Sequence, residues 1–555
     1  MNDAHGLDLD DLLPPQRDAP GVAVAVLRDG AVVQRSCSGL ASLEHRVPIS
    51  PETRFHIVSV TKTYTAAAVL ILAARGALSL DDDIRRHLPE LSERIGNPRP
   101  VTIRHLLSMT SGLRDVLEIE RLRGIWRPSP SRAADLLDLA LRQATASLPA
   151  GAAYIYANVN FVLLEAIIRR VGGMDADEFH RSVLYEPLGL AATGARLHDG
   201  VVLPNLATPY VPAAAGGWVR ATDLLGISGD GLTTSLDDLA RWLFALRGGT
   251  IGGVPITDAM AQPTRLSDGH PIHYGLGLAI RRYRGLRVLC HSGSQPGYKA
   301  HIAYVPDRDL AIAVLSNRED TRASMLAAAI MERAIGADFP AAHPGAIAAR
   351  RVTAAFSAAK AAAIEGDYVD AATGEFLSLS VVDDVLQAET LGDPITFYHA
   401  GRGLFRDDDD YRSTVPAELS FDFGNGSGMV SCRLWLGGLR CAMRKYMTQR
   451  HDAAALDEFC GRFENEEVGS RHDVTQGPTG LLVQYGLGFD RDLSFALQPI
   501  APDLFLARPS APGVAHRHVF RFERDGTGRV VAALVTMERL KGLRLVRRSG
   551  DPGLR

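Results

Sequence analysis

The sequence predicts an α+β chain: an antiparallel sheet flanked by helices, followed by two small antiparallel β-barrels. Three observations predict it. Through the first 336 positions apolar residues recur at three- and four-residue spacing, enclosed between two hairpin-like pairs of extended segments. Beyond residue 351 that period largely disappears, and short alternating segments recur between glycine turns. The length of 555 residues, at roughly 150 residues per domain, points to three to four domains, or one large domain plus smaller ones.

The first hairpin is read from residues 21–27, a turn at Asp29-Gly30, and the extended Ala31-Val32-Val33. Residues 300–305 and 310–315 flank the polar turn at 306–309 and form the second; the four segments are expected in one sheet. Between them residues 62–75, 104–107, 131–142, 160–171 and 237–247 carry the helical spacing, and 323–335 closes the unit. The first domain is therefore placed at 1–336. Residues 337–351, with Pro340, Pro344 and Gly345, suit a linker, and the barrels follow at 352–448 and 449–555. The two barrels look duplicated. Gly366-Asp367-Tyr368 opens a unit that later contains Phe421-Asp422-Phe423, and Gly461-Arg462-Phe463 opens another that later contains Phe520-Arg521-Phe522. The acidic run Asp407 to Asp410 reads as a solvated loop.

Composition narrows the function. With 60 basic and 64 acidic residues the formal net charge is -4, so no global positive field holds nucleic acid or an anionic membrane. Five cysteines without a CxxC pair argue against a disulfide framework or a zinc site, and no metal or organic cofactor is signalled. The first residues have neither a basic nor an apolar leader region, which predicts a cytoplasmic location. The most apolar run, 66–74, is far short of the ~20 residues that span a bilayer.

Three short motifs can carry chemistry. In Ser59-Val60-Thr61-Lys62 an extended segment gives way to a long apolar helix, and a spacing of three puts hydroxyl and amine on one face. Free NH groups at the helix start could stabilise an oxyanion, and Lys62, if held neutral by its surroundings, could take the serine proton. By itself such a tetrapeptide is more often an N-cap with a surface lysine. Tyr156-Ala157-Asn158 stands at a second loop-to-helix junction, where a phenol can relay a proton and an amide can hold a substrate carbonyl; a packing tyrosine beside an Asn N-cap is the plainer alternative. His291-Ser292-Gly293-Ser294 enters the strand at Ala300. Gly293 would let a substrate backbone lie close, and the NH of Ser294 would complete an oxyanion hole with that of Ser59.

In this order and at these separations, SxxK, YxN and HxG resemble the penicillin-recognising serine hydrolases, the superfamily of class C β-lactamases, DD-peptidases and related esterases. Thr102 to Leu113, Gly231 to Ser235, Tyr274 to Leu278 and Leu315-Ser316-Asn317 agree, and the resemblance covers roughly 15–336. It implies a β-lactamase/DD-peptidase-like catalytic domain, with Ser59, Lys62, Tyr156 and His291 as catalytic residues and Asn158, Gly293 and Ser294 binding substrate. Two trailing barrels make bacterial D-aminopeptidases the nearest match in architecture. That implies cleavage of N-terminal D-residues from small peptides or amino acid amides, β-lactams as inhibitors, and a homodimer. In that family a loop of the last barrel roofs the site and supplies an acid for the substrate amine. Here the corresponding loop, 507–517, contributes Ser510 but no acid, so either Asp490 or Asp492 of another loop does that work or amine selectivity differs. A broader esterase or amidase, or a β-lactamase-like hydrolase, is the alternative. Because His291 replaces a permanent cation, strong recognition of a substrate carboxylate is not expected.

Overall fold

The computed structural model describes residues 7–93, 95, 99–125, 133–196, 201–221, 231–340, 351–392, 394–407, 417–423, 430–446, 456–478, 480–486, 493–510 and 516–548. Six strands form one antiparallel sheet in the order Ala279–Tyr283, Leu286–Gln295, Tyr298–Val305, Leu310–Ser316, Val22–Arg28, Ala31–Ser38. The first hairpin turns where Asp29 and Gly30 both take positive φ, 50° and 78°, the mirror-image turn that matches strand twist. Val22–Arg28 then pairs with Leu310–Ser316, Val24 opposite Val314, so the two ends of the domain meet in mid-sheet. All seven residues of Leu310–Ser316 are buried, because helices Leu236–Gly248 and Ala323–Ile335 pack against it.

One strand departs from the sequence reading. His291 does not enter the Ala300 strand; it lies on a strand of its own, Leu286–Gln295, which turns at Pro296-Gly297 and runs back as Tyr298–Val305. The outer half, Ser292-Gly293-Ser294, has no apolar alternation. It lies beyond the last pair with its other neighbour, Ala279 with Cys290, so no strand pairs with that edge among the described residues and the pattern that reveals a core strand is absent.

Helix Thr61–Ala74 is buried on every side from Thr61 to Leu72, which an all-round apolar composition requires of a central helix. Tyr64 stacks on Trp242 with ring centroids 3.9 Å apart, and the Trp242 indole N–H donates to Thr63 Oγ1 at 3.1 Å, fixing the helix rotation. Ile103–Leu107, Ala133–Leu141, Val159–Gly172, Leu236–Gly248 and Ala323–Ile335 stand where the spacing put them, with residues 131 and 132 outside the described set.

Two closed eight-stranded antiparallel barrels follow, Gly366–Val369 through Leu439–Lys445 and Gly461–Asn465 through Leu540–Arg547. The two glycine-led openings are the first strand of each barrel, and Phe421 and Phe520 both fall on the sixth. Asp407 is not solvated as expected. It is 2% exposed and accepts the Ala417 N–H at 2.8 Å, closing the strand end; 408–410 lie outside the described residues. Lys541 of the second barrel pairs with Glu375 of the first at 2.5 Å. Glu467 of the second barrel takes the Ala144 N–H at 2.7 Å, binding it to the helical layer. Among the described residues no helix is long and apolar enough to cross a membrane.

Candidate active site

Strand Arg54–His56 ends in a 3-10 turn, Val58–Val60, that leads directly into helix Thr61–Ala74. Val58, immediately before Ser59, is held at φ 49°, a region β-branched residues avoid, so the turn that presents the serine is strained. One helical turn on, Lys62 Nζ donates to Ser59 Oγ at 3.0 Å. Lys62 is 0% exposed, and its Nζ lies 5.4 Å from the Tyr156 ring centre and 5.6 Å from that of Phe161. The plainer reading of a surface lysine therefore fails: this amine is inside the protein beside the serine.

Asn158 occupies the N-cap position of Val159–Gly172, yet its side chain makes no capping bond. It is 3% exposed, and its Oδ1 finds no hydrogen-bond partner. Its backbone N–H instead donates to the Asp115 carboxylate, which also caps Leu117. The amide is thus left for something in the cleft.

Gly293 stands between Ser292 and Ser294, which both line the cleft, and its bareness is used against the serine turn. A Cβ there would sit 2.1 Å from Ile57 O and 3.1 Å from Ser59 N. Only glycine lets this strand abut the serine turn, bringing the backbone of Ser294 beside that of Ser59. His291 is buried. Its Nδ1–H donates to Ser292 O at 2.9 Å, and Nε2 accepts the Tyr274 hydroxyl at 3.1 Å. Burial, reinforced by the Lys62 charge, pushes its pKa down to about 3, so the ring is neutral with both nitrogens engaged.

Ser59, Tyr156, Asn158, His291 and Ser294 line one cavity of about 590 Å³. Both barrels complete it. The first brings Leu391, Gly392 and the Leu436 to Leu439 turn, whose Gly437 O accepts the Tyr154 N–H at 2.6 Å. The second brings Glu538 and Arg539 from the turn between Val530–Met537 and Leu540–Arg547. Arg539 lies over the Tyr156 ring at 5.2 Å, and its carbonyl accepts the Asp115 N–H at 3.1 Å. Glu538 packs on Gly392, where a Cβ would lie 2.3 Å from its carboxyl carbon.

The turn at Glu538 and Arg539 is a roofing element beyond the loop expected at 507–517, of which Ser510 is the residue expected to bind substrate. Ser510 is exposed, donates its backbone N–H to Ser494 O at 2.9 Å and does not line the cavity, because strand Leu504–Pro509 carries it along the barrel. Residues 511–515, and with them Asp490 and Asp492, lie outside the described set. Sequence reasoning missed Glu538 and Arg539; a charged pair in a turn between two apolar strands looks like any solvated hairpin end.

The fold and this cleft are those of a β-lactamase-like protein. Residues 9–335 match the Beta-lactamase family, and the chain belongs to that family. It is 31% identical over 335 residues to a D-aminopeptidase of Gluconobacter oxydans (strain 621H), a match covering 59% of this chain and 61% of that one, so it spans about three fifths of the relative's length. The octameric penicillin-binding protein homologue from Pyrococcus abyssi superposes with a TM-score of 0.53 at 25% identity, over 77% of this chain and 96% of that one. A crystal structure of SurE, TM-score 0.50 and 23% identity, is alike in fold over 96% of each chain.

Proposed function

We propose that this chain is a serine hydrolase that removes N-terminal D-amino acids from short peptides, amides or esters through an acyl-enzyme on Ser59. The observation that carries the reading is the buried Lys62 amine 3.0 Å from Ser59 Oγ, beneath a roof that holds an acid. Ser59 attacks the carbonyl carbon while Lys62, in its neutral amine form, takes the hydroxyl proton and becomes the ammonium, and the NH groups of Ser59 and Ser294 receive the developing oxyanion. Tyr156, in reach of Lys62, passes a proton to the departing amine and then helps to activate the deacylating water. Asn158 orients the acyl group. His291, with both nitrogens occupied, holds the site's shape rather than moving protons.

Glu538 takes the substrate's free ammonium group. Its packing on Gly392 fixes the carboxylate at the cleft. The D preference is supported by the Gluconobacter relative, which is itself a D-aminopeptidase.

The test is mass spectrometry after a fluorophosphonate probe, with rates on D-Ala and L-Ala anilides. The proposal expects one adduct on the Ser59 peptide, none in Ser59→Ala, and faster release from the D-substrate. An unlabelled Ser59, or an L-substrate turned over faster, would reject it.

A further inference from the structure

The first barrel reaches the cleft through one hairpin tip, where Leu436 and Leu439 pair across the turn Gly437-Gly438. The tip is clamped in place. Arg440 pairs with Asp268 at 3.0 Å, the Trp435 and His270 rings lie 5.5 Å apart, and a Cβ on Gly438 would sit 2.5 Å from Ala152 O. Because Gly437 O accepts the Tyr154 N–H at 2.6 Å, both leucines are held beside the segment that carries Tyr156 and Asn158. Hairpin tips in water favour polar residues and glycine. Here the two leucines are only partly buried and line a cleft, so they leave apolar surface that an apolar group would cover favourably.

Three more apolar residues extend this wall. Ile155 belongs to the Tyr154 to Asn158 segment itself and lines the cleft. Leu117 is tied to that segment, since its backbone N–H and that of Asn158 both donate to the Asp115 carboxylate. Leu391 adjoins Gly392, on which Glu538 packs. The α-carbon of an N-terminal residue carries a carbonyl, an ammonium group and a side chain. With the carbonyl at Ser59 and the ammonium at Glu538, the side chain leaves that same carbon between Asn158 and Gly392, where the wall is leucine and isoleucine. Apolar lining around a few fixed polar anchors is how a small-molecule site selects an apolar group.

We infer that Leu117, Ile155, Leu391, Leu436 and Leu439 form the subsite for the side chain of the N-terminal residue, so that the preferred substrates begin with a branched or long apolar D-residue, of leucine or methionine size, and not with D-alanine. The inference rests on the proposed acyl-enzyme at Ser59 and on the ammonium site at Glu538. It gives the first barrel a part in substrate choice.

The test uses the full-length protein and the p-nitroanilides of D-leucine, D-alanine and D-asparagine, the last close to leucine in shape but polar. Each methylene taken from water is worth about fourfold, so the three extra carbons of D-leucine would give about 60-fold if wholly buried, and partial burial about 10-fold. In the unmodified protein kcat/KM for D-leucine should exceed that for both other substrates by about 10-fold. Leu439→Asn should lower the D-leucine to D-alanine ratio about fivefold, whereas Leu439→Met should keep it; a general loss of structure cancels in the ratio. D-alanine or D-asparagine turned over as fast as D-leucine by the unmodified protein overturns the inference, and decides even if the variants fail to fold. A ratio unchanged in Leu439→Asn also overturns it. Failure of the acyl-enzyme reading looks different: none of the three anilides is cleaved and Ser59 takes no adduct.

Discussion

Replacing Glu538 by Gln removes one negative charge from the roof of the cleft while keeping the volume that packs on Gly392. In the proposed complex the carboxylate meets the substrate's ammonium. Two unit charges 4 Å apart interact by about 4 kcal/mol at the effective dielectric of a protein surface. Glu538 is 27% exposed and already 3.5 Å from Arg539, so part of that is screened. A charged hydrogen bond contributes about 1.5–3 kcal/mol, and about 2 kcal/mol corresponds to a roughly 30-fold loss of kcat/KM. The assay is release of p-nitroaniline from D-Ala anilide and from its N-acetyl derivative, which has no ammonium group. Glu538→Gln should lose about 30-fold on the first and little on the second. Gly392→Ala should act in the same direction, because its Cβ would lie 2.3 Å from the Glu538 carboxyl carbon and push it aside. Equal losses on both anilides, or none on either, would refute an amine-binding role.

Three further outcomes are expected. Gly293→Ala places a Cβ 2.1 Å from Ile57 O, so the strand must retreat from the Ser59 turn; activity should drop about 100-fold or more while the thermal midpoint changes modestly, since the clash is confined to the oxyanion region. Arg539→Met removes the guanidinium 5.2 Å from the Tyr156 ring, a contact of about 1 kcal/mol, and kcat at saturating substrate should fall about fivefold. Burial holds His291, His301, His472 and His518 at pKa about 3, well below the unfolded value near 6.5. The folded state therefore binds fewer protons. The contribution of these histidines is complete above about pH 6.5 and is lost as pH falls toward 3, by about 1.4 kcal/mol per pH unit for each. Urea midpoints should drop between pH 7.5 and 5.5, and His472→Phe should flatten that slope.

Much of the catalytic core was legible because its signals are local. The Ser59 and Lys62 pairing follows from helical geometry, and the hairpin at Asp29-Gly30 from turn chemistry. The paired Gly and Phe landmarks of the barrels fall on matching strands, since a duplicated unit keeps its spacing. Legibility stopped where a residue's neighbours come from elsewhere in the chain. The outer half of the His291 strand hid because one edge meets the Ser59 turn instead of a strand and the sequence there is polar. Asp407 looked like part of an exposed acidic run until its bond to Ala417 closed a strand end.

By itself the sequence determined which hydroxyl and amine meet, that two antiparallel barrels follow an α+β domain, and where a tyrosine and an asparagine begin a second helix. These depend on separations of a few residues, which backbone geometry converts directly into distance. Only the tertiary structure decided that Glu538 and Arg539, nearly 480 residues beyond Ser59, line the cleft and that Asn158 is left without a capping role. Contacts of that kind depend on how barrels dock and strands register, and no local pattern encodes which turn of a closed barrel will face the cleft.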